Sequence, residues 1–154
     1  MVLLVISGGQ VVPEIEMPIS ATILQLKERI EAVINILVLR QTLSFNDNVL
    51  RNDQTIDEFN FGKFATVVLD VQPLAGQPKF NIFVQSSAEE VTAISVRETT
   101  LVAALKRKIE KSCGVLAKNV SLYHLSKEME DEFPLCAYYV CPGSEVEMTI
   151  SMDI

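Results

Sequence analysis

The sequence predicts two consecutive α+β domains, each with a mixed β-sheet packed on one helix. Three observations support this prediction. The chain has 154 residues, which suffices for two small domains. Its apolar positions recur at a spacing of 79 residues, as between Ile30 and Ile109. Each copy also shows strand-like runs, one amphipathic helix and further strand-like runs in the same order. We therefore expect one domain over residues 1–72, a linker over 73–79 and a second domain over 80–154.

The evidence for two copies is a repeated burial pattern, since few of the matched residues are identical. Shifting the chain by 79 residues aligns Leu3 with Ile82, Val5 with Val84, Leu26 with Leu105, Ile30 with Ile109, and Val67 with Val146. The match extends from the start of each copy to its end. This pattern indicates a duplicated fold.

Each copy contains an opening strand, a returning strand and a closing strand. The opening strands are the runs "LLVIS" and "FNIFVQ". We expect the returning strands near Glu14–Met17 and Val91–Val96. The closing strands are "TVVLDV" and "EVEMTI", which alternate between apolar and polar residues.

One amphipathic helix is predicted in each copy. Thr22 and Gln25 have the spacing of a capping box at the start of the first helix. Asn35 and Gly114 are expected to end the two helices, because both residue types tolerate the left-handed conformation of a C-cap. The predicted buried faces consist of Ile23, Leu26, Ile30 and Ile34 in the first helix and of Val102, Leu105, Ile109 and Cys113 in the second.

The composition favours a folded intracellular protein whose main partner is not nucleic acid. The chain is 49% hydrophobic and 21% charged, which excludes wholesale disorder. Its net charge of −7 argues against a nucleic-acid partner. The opening "MVLLVI" is too short to span a bilayer and lacks the features of a signal peptide, so we expect no membrane partner. Three cysteines, an odd number, favour reduced thiols and a cytoplasmic or nuclear location.

Residues 2–71 resemble ubiquitin without a gap, and the second copy resembles it more distantly. The matching residues of the first copy are Val5, Ser20, Thr22, Ile23, Lys27, Ile30, Ile36, Leu43, Phe45, Leu50, Thr55, Asn60, Lys63, Thr66 and Leu69. Those of the second copy are Ile82–Val84, Lys106, Ile109, Gly114, Leu122, Lys127, Glu130, Asp131 and Tyr138. The resemblance implies two tandem β-grasp domains of the ubiquitin-like type.

The resemblance also directs attention to the tail through which ubiquitin is conjugated. Ala75-Gly76 occupies the place of the ubiquitin Gly-Gly in the first copy, but the chain continues into Gln77. The second copy closes with "TISMDI", which has no glycine, so we expect no conjugation through the C-terminus. We interpret residues 73–79 as a linker with a hinge at Gly76. Cleavage after Gly76 is the alternative, which Pro78 and Ala75 disfavour.

The apolar patch of ubiquitin is a second surface that the resemblance implies. Its aligned positions are Gly8, Ser44, Val68 and Asp70 in the first copy, and Ser87, Tyr123, Glu147 and Thr149 in the second. Most of these residues are polar, so ordinary ubiquitin receptors should bind weakly. Lys27 and Lys63 match lysines of ubiquitin. We interpret both as solvated surface charges, with a role in chain building as the alternative.

The run "INILVLR" after the first helix departs from ubiquitin. Ile36, Leu37, Val38 and Leu39 cannot all point inward in so small a domain. Local repacking is one interpretation. The other is an exposed apolar strip that contacts the second domain, a second copy of the chain or another protein. Val12, Val49 and Val68 also suggest an adhesive surface. The candidate protein-binding residues are Ile36, Leu37, Leu39, Ser44, Val49, Val68 and Tyr123.

No catalytic, cofactor or metal site is expected. Cys113, Cys136, Cys141 and His124 could in principle form a Cys3His zinc site. The spacing between Cys136 and Cys141 is wider than usual, however, and we expect the cysteines to be small core residues. The glycines of "ISGGQ" and "PGSE" lack the spacing and the lysine of a phosphate-binding loop.

We therefore expect a non-enzymatic tandem ubiquitin-like interaction module of the ubiquitin–proteasome system. Two alternatives remain open on sequence alone. One is a two-domain modifier or its precursor, and the other is a regulatory part of a larger ubiquitin-pathway enzyme.

Overall fold

The computed structural model describes residues 1–86 and 90–151. The chain divides into two compact units, Met1–Pro73 and Leu74–Ile154. Among the described residues, each unit has one five-stranded sheet and one α-helix. The predicted α+β class with two β-grasp domains is thereby confirmed. The exact bounds of the predicted linker stay a prediction.

The first unit contains five strands, one α-helix and two short 3₁₀ helices in its described part. In chain order these are β1 (Val2–Ser7), β2 (Glu14–Met17), α1 (Ile23–Ile34), a 3₁₀ helix (Val38–Arg40), β3 (Gln41–Phe45), β4 (Asn48–Val49), a 3₁₀ helix (Ile56–Phe59) and β5 (Phe64–Val71).

The second unit repeats this order over its described residues. Its elements are β6 (Phe80–Ser86), β7 (Val91–Val96), α2 (Val102–Cys113), a 3₁₀ helix (Ala117–Asn119), β8 (Val120–His124), β9 (Lys127–Glu128), a 3₁₀ helix (Leu135–Tyr138) and β10 (Glu145–Ile150). The returning strands β2 and β7 have the predicted bounds.

Both sheets have the same topology. The strand order is β2-β1-β5-β3-β4 in the first unit and β7-β6-β10-β8-β9 in the second. The opening and closing strands of each unit lie side by side and parallel, and the other neighbours are antiparallel. A parallel pair needs a long crossover, which here contains the helix. Each sheet therefore has one face under a helix and one face left exposed.

The alternation of β5 shows how the sequence separates these two faces. Ala65, Val67 and Leu69 are buried, whereas the residues between them are exposed. On the opposite side of the core, Ile23, Leu26, Ile30 and Ile34 of α1 are fully buried. Burying apolar side chains of this size contributes about 1.5–3 kcal/mol each. This one-sided core leaves the outward residues of the sheet available for recognition.

The ends of α1 are fixed by side-chain and backbone caps. The Thr22 hydroxyl accepts a hydrogen bond from the backbone N–H of Gln25 (3.1 Å). Gln25 Oε1 in turn accepts one from the backbone N–H of Thr22 (2.9 Å), which completes the predicted capping box. Asn35 has a φ of 62° and donates its N–H to the carbonyl of Glu31. The predicted start and end of this helix are confirmed.

Helix α2 ends as predicted. Unlike α1, it has no capping box at its start, and its last turn differs from the prediction. Gly114 has a φ of 73° and forms the C-cap. Leu101 is the N-cap and provides no side-chain hydrogen bond. Val102, Leu105 and Ile109 are buried, whereas Cys113 is exposed. The prediction that Cys113 lies on the buried face was wrong, because Cys113 lines a pocket that opens to the surface beside the last turn of α2.

The spacing of 79 residues fails in the opening strands. Val84 pairs with Val146, whereas Val67, which matches Val146, pairs with Ile6. Ile6 therefore corresponds to Val84, at a spacing of 78 residues. The second unit has one additional residue between its first two strands.

This extra residue changes which side chains of the opening strands correspond. Leu3 and Val5 are only half-buried, whereas Ile82 and Val84 lie in the core. The predicted pairs Leu3–Ile82 and Val5–Val84 are wrong by one residue, since a shift of one position turns a strand over.

Candidate protein-interaction surfaces

The exposed face of the first sheet contains a short apolar row. Ser44 of β3 pairs with Val49 of β4 on one side and with Val68 of β5 on the other. Val49 is 65% exposed and Val68 is 46% exposed, and Ser44 between them is half-buried. We call Val49, Ser44 and Val68 the valine row. Three of the predicted binding residues are thus neighbours on one surface.

Phe64 extends this face and was missed by the sequence analysis. It lies on the outward side of β5, pairs with Leu3 of β1 and is largely exposed. Leu3 and Val5 are half-buried on the same face of the sheet. The available signal was the alternation of "FATVVLDV", which places Phe64 in phase with the exposed Val68.

Two neighbouring positions keep the valine row from matching the ubiquitin patch. Asp70 is exposed and pairs with Thr42. Gly8 has a φ of 128°, and a Cβ at this position would lie 2.2 Å from the carbonyl oxygen of Leu69. A larger residue at Gly8 would therefore need the backbone to move. Weak binding to ordinary ubiquitin receptors stays a prediction.

The second unit has acidic residues where the first has the valine row. Tyr123 of β8 pairs with Glu128 of β9 and with Glu147 of β10. Both glutamates are exposed and Tyr123 is half-buried. We call Glu128, Tyr123 and Glu147 the glutamate row. Its members lie 79 residues after Val49, Ser44 and Val68, so the two rows occupy corresponding places.

Two further residues of the second copy, Ser87 and Thr149, align with the apolar patch of ubiquitin. Thr149 is exposed on β10 and pairs with Ser121. Ser87 lies outside the described residues. On the same sheet, Phe83 and Val91 are exposed apolar side chains, so the second unit also has some apolar surface.

The strip after α1 separates into inward and outward residues. Ile36 is only 2% exposed and belongs to the core, so its assignment to an exposed binding strip is corrected. The Gln41 side chain fixes this segment, because its Nε2 donates to the carbonyls of Lys27 (3.0 Å) and Ile36 (2.9 Å). Leu37 is exposed, and Leu39 is 91% exposed. These two leucines are what remains of the predicted strip.

The two lysines shared with ubiquitin have different environments. Lys27 lies in the buried part of α1, and this burial lowers the pKa of its amine. Its interpretation as a solvated surface charge was therefore wrong. Lys63 is exposed, in agreement with that interpretation.

His124 is a core residue of the second unit. It is 4% exposed, and its Nδ1 lies 2.8 Å from the carbonyl oxygen of Tyr138, to which it donates. Burial lowers the pKa of His124, and the hydrogen bond to Tyr138 partly opposes this shift. Tyr139, the residue after Tyr138, is also buried, and this burial raises the pKa of the Tyr139 hydroxyl. The imidazole is not presented to a substrate at the surface.

The three cysteines are placed in different environments. Cys141 is buried beside Ser144, whereas Cys113 and Cys136 are exposed. The expectation that all three are core residues therefore holds only for Cys141. Within residues 1–86 and 90–151, no group of three or more His, Cys, Asp or Glu side chains is arranged to hold a metal ion.

A pocket of about 160 Å³ opens to the surface at the end of the second core, beside the last turn of α2. It is lined by Val84, Ser86, Glu90, Thr92, Cys113, Val115, Met148 and Ile150. The first unit has the larger Ile6, Ile34 and Ile36 at the positions of Val84, Cys113 and Val115, and all three isoleucines are buried. The smaller residues explain why this part of the second core is incompletely filled.

The helix-covered sheets with central parallel strands and an open opposite face define a protein with two ubiquitin-like domains. The model of the family described as the ubiquitin family matches residues 4–73 and 82–153, and the chain belongs to this family. A search of curated proteins finds no match. In the described part of the chain, no helix has the length and apolar character to cross a membrane.

Proposed function

We propose that the chain is a non-enzymatic interaction module of the ubiquitin–proteasome system, active in the cytoplasm or nucleus, that binds proteins through two different sheet faces. Family membership supports a role in protein–protein binding. The observation that carries the proposal is the contrast between the valine row and the glutamate row at corresponding positions.

The valine row favours a partner with an apolar contact surface. Val49 and Val68 are exposed on the open face of the sheet, and Phe64 adds an aromatic side chain on the same face. Burying one of these valines on binding contributes about 1.5–3 kcal/mol before the costs of association. An amphipathic helix that lays its apolar side on the sheet fits this surface.

The glutamate row favours a partner with basic side chains. Glu128 and Glu147 flank the ring of Tyr123, which can contact the stem or the planar group of an arginine. These charges are exposed, so they contribute more to partner choice and association rate than to affinity. The two units therefore select different epitopes.

The test is an NMR titration of the full chain with two peptides, an amphipathic ubiquitin-interacting helix and an arginine-rich peptide. We expect the helix to perturb the valine row, with an affinity below its affinity for ubiquitin, and the basic peptide to perturb the glutamate row. Val68→Glu should weaken helix binding about tenfold or more, in keeping with the loss of one buried valine contact. Glu147→Lys should weaken the response to the basic peptide, because it replaces one of the two exposed glutamates by a like charge.

The matched controls change exposed residues outside the rows. Val33→Glu and Glu90→Lys should leave the respective affinities unchanged. Equal losses from the row variants and the controls would contradict the proposal, as would perturbations confined to other surfaces.

We also propose that the chain does not act as a conjugated modifier. Gly76, at the place of the ubiquitin Gly-Gly in the first copy, is followed by Gln77 within the chain, so no free glycine carboxylate exists there. Incubation with ubiquitin-family activating enzymes and ATP should give no thioester. Formation of one through this C-terminus would contradict the proposal.

A further inference from the structure

The segment Leu74–Gln77 belongs to the second unit and forms a tight turn. Gly76 and Gln77 have φ values of 75° and 48°, so two consecutive residues adopt a left-handed conformation. The backbone N–H of Gln77 donates to the carbonyl of Leu74 (3.1 Å). The side chain of Gln77 also donates to this carbonyl, through its Nε2 at 3.1 Å. The place of the ubiquitin Gly-Gly in the first copy is therefore folded back on itself.

The turn is held by the carboxylate of Glu98. Glu98 Oε1 accepts a hydrogen bond from the backbone N–H of Leu74 (3.0 Å) and another from Nε2 of Gln77 (3.1 Å). Glu98 is only 5% exposed. A glutamate is almost never buried to this extent unless hydrogen-bond donors compensate for lost water. The turn provides such donors.

Arg97 adds a second contact next to Glu98. Its Nε donates to the backbone carbonyl of Gln77 (3.2 Å). Glu98 therefore accepts a hydrogen bond from Leu74 at the start of the turn, and Arg97 donates one to Gln77 at its end. Hydrogen bonds that involve a charged group are stronger than those between neutral groups.

The first unit has no such pair at the corresponding positions. Pro18 and Ile19 lie where the second unit has Arg97 and Glu98, and Ile19 is exposed. Neither residue has a charged group that could bind a peptide segment. The site is thus a specific feature of the second unit and not a property of the shared fold.

The end of the first unit is held by hydrogen bonds to Arg40. The backbone N–H of Gln72 donates to the carbonyl of Arg40 (2.8 Å), and Arg40 Nε donates to the carbonyl of Gln72 (2.9 Å). Pro73 follows, and Leu74 is already bound to Glu98. The hinge predicted at Gly76 therefore lies inside the turn, where hydrogen bonds fix the chain.

We propose that Arg97–Glu98 is a binding site for the chain's own segment Leu74–Gln77, and that this junction clasp protects the Gly76–Gln77 peptide bond from cleavage. Peptidases bind a substrate segment in an extended conformation, and exposed flexible loops are their preferred sites. Two consecutive left-handed residues are incompatible with an extended segment. Cleavage at this bond requires the clasp to open first.

The direct test is amide hydrogen exchange of the full chain, measured by NMR. The amides of Leu74 and Gln77 should exchange about tenfold or more slowly than in an unstructured peptide, since each is hydrogen-bonded. Exchange of both amides at the rate of an unstructured peptide would overturn the proposal.

Two variants test whether the junction clasp causes the slow amide exchange. Glu98→Ala removes the acceptor, and Gln77→Asn shortens the amide side chain while keeping a residue type that tolerates positive φ. Glu98→Ala should remove the protection of Leu74, and Gln77→Asn should reduce it, because its shorter side chain loses the hydrogen bonds to Glu98 and to the Leu74 carbonyl. Both should increase limited proteolysis at residues 74–77, by up to about tenfold, in keeping with the loss of a hydrogen bond. Glu145→Ala, which changes an exposed glutamate of the same unit outside the glutamate row, is the matched control and should leave both unchanged.

The Gln77→Asn variant keeps the test decisive if Glu98→Ala unfolds the second unit. Its fold can be verified by the near-ultraviolet circular dichroism of Tyr123, Tyr138 and Tyr139, which are the three tyrosines of the chain and all belong to the second unit. A folded Gln77→Asn variant with wild-type exchange and proteolysis would overturn the proposal.

Discussion

Ser44 lies directly opposite Val68 across the β3–β5 pairing, and both side chains are on the exposed face of the first sheet. The hydroxyl of Ser44 interrupts what would be a continuous apolar surface from Val49 to Val68. A single residue at the centre of the row therefore limits how much apolar area a partner can bury there.

Enlarging the apolar row should strengthen binding to a ubiquitin-interacting helix. Ser44→Ile joins Val49 to Val68, and Asp70→Val removes a neighbouring exposed charge. Each change should contribute about 1–2 kcal/mol to binding, since each adds buried apolar area. Isothermal titration calorimetry on both variants measures this gain. Ser95→Ile on β7 is the control and should have no effect. The interpretation is wrong if the wild type already binds such helices as strongly as ubiquitin does.

Filling the pocket of the second unit should stabilise it. Val115→Ile and Val84→Ile add the methylene groups that the first unit has at Ile36 and Ile6. Each should raise the free energy of unfolding of the second unit by about 0.5–1 kcal/mol. Tyrosine fluorescence during urea denaturation reports this unit selectively, because it contains all tyrosines of the chain.

The reverse substitutions provide the control for pocket filling. Ile36→Val and Ile6→Val should lower the stability of the first unit by about 0.5–1.5 kcal/mol each. Amide hydrogen exchange measures the stability of each unit separately. A loss of stability in Val115→Ile would show that this space cannot accept a larger side chain.

Acidification should destabilise the second unit through His124. Burial keeps the pKa of His124 below its ordinary value of 6.5. The unfolded chain therefore binds a proton first as the pH falls. The stability is fully present above pH 6.5 and decreases as the pH falls from 6.5 towards the folded pKa, by about 1.4 kcal/mol for each pH unit between the two values. Urea denaturation followed by tyrosine fluorescence between about pH 7.5 and about pH 5 measures the decrease.

His124→Asn separates this effect from the titration of carboxylates. Asparagine keeps a side-chain N–H that can donate to the Tyr138 carbonyl but does not titrate. The variant should lose less stability than the wild type over the same pH range. Identical pH profiles for the two proteins would show that His124 has no such role.

The exposed leucines after α1 should support self-association of the chain. Leu39 is 91% exposed and Leu37 is its exposed neighbour. Burying a leucine contributes about 1.5–3 kcal/mol, so two of them can stabilise a weak dimer. Sedimentation velocity should show concentration-dependent association of the wild type and none of Leu37→Ser/Leu39→Ser. Leu24→Ser/Val33→Ser on α1 is the control and should still associate. If the wild type stays monomeric at every concentration, the two leucines do not support self-association.

Local signals allowed the helix ends to be predicted from the sequence. Thr22, Asn35 and Gly114 act through hydrogen bonds and backbone conformations within a few residues, so the relevant information lies beside them in the chain. The resemblance to ubiquitin identified Val68 as a surface position, and the alternation of β5 would have identified both Val68 and Phe64 as outward-facing.

The opening strand could not be placed in the same way. The run "VLLVIS" is continuously apolar, so it gives no period of two from which to choose the buried face. Only the pairing with Val67 of β5 shows that Ile6 points inward. The burial of Glu98 depends on Leu74 and Gln77, which are more than twenty residues away in sequence, and no local pattern indicates such a contact.

The short connection between the two units has a consequence for the valine row and the glutamate row. Consider a partner that has an apolar epitope and a basic epitope close together. Once one unit has bound it, the other unit binds the second epitope intramolecularly, at an effective concentration set by the connection between the units. Avidity of this kind can exceed the affinity of either contact by about 10²–10⁴-fold when the geometry allows both. Measurements on one isolated unit would then underestimate the affinity of the whole chain for such a partner.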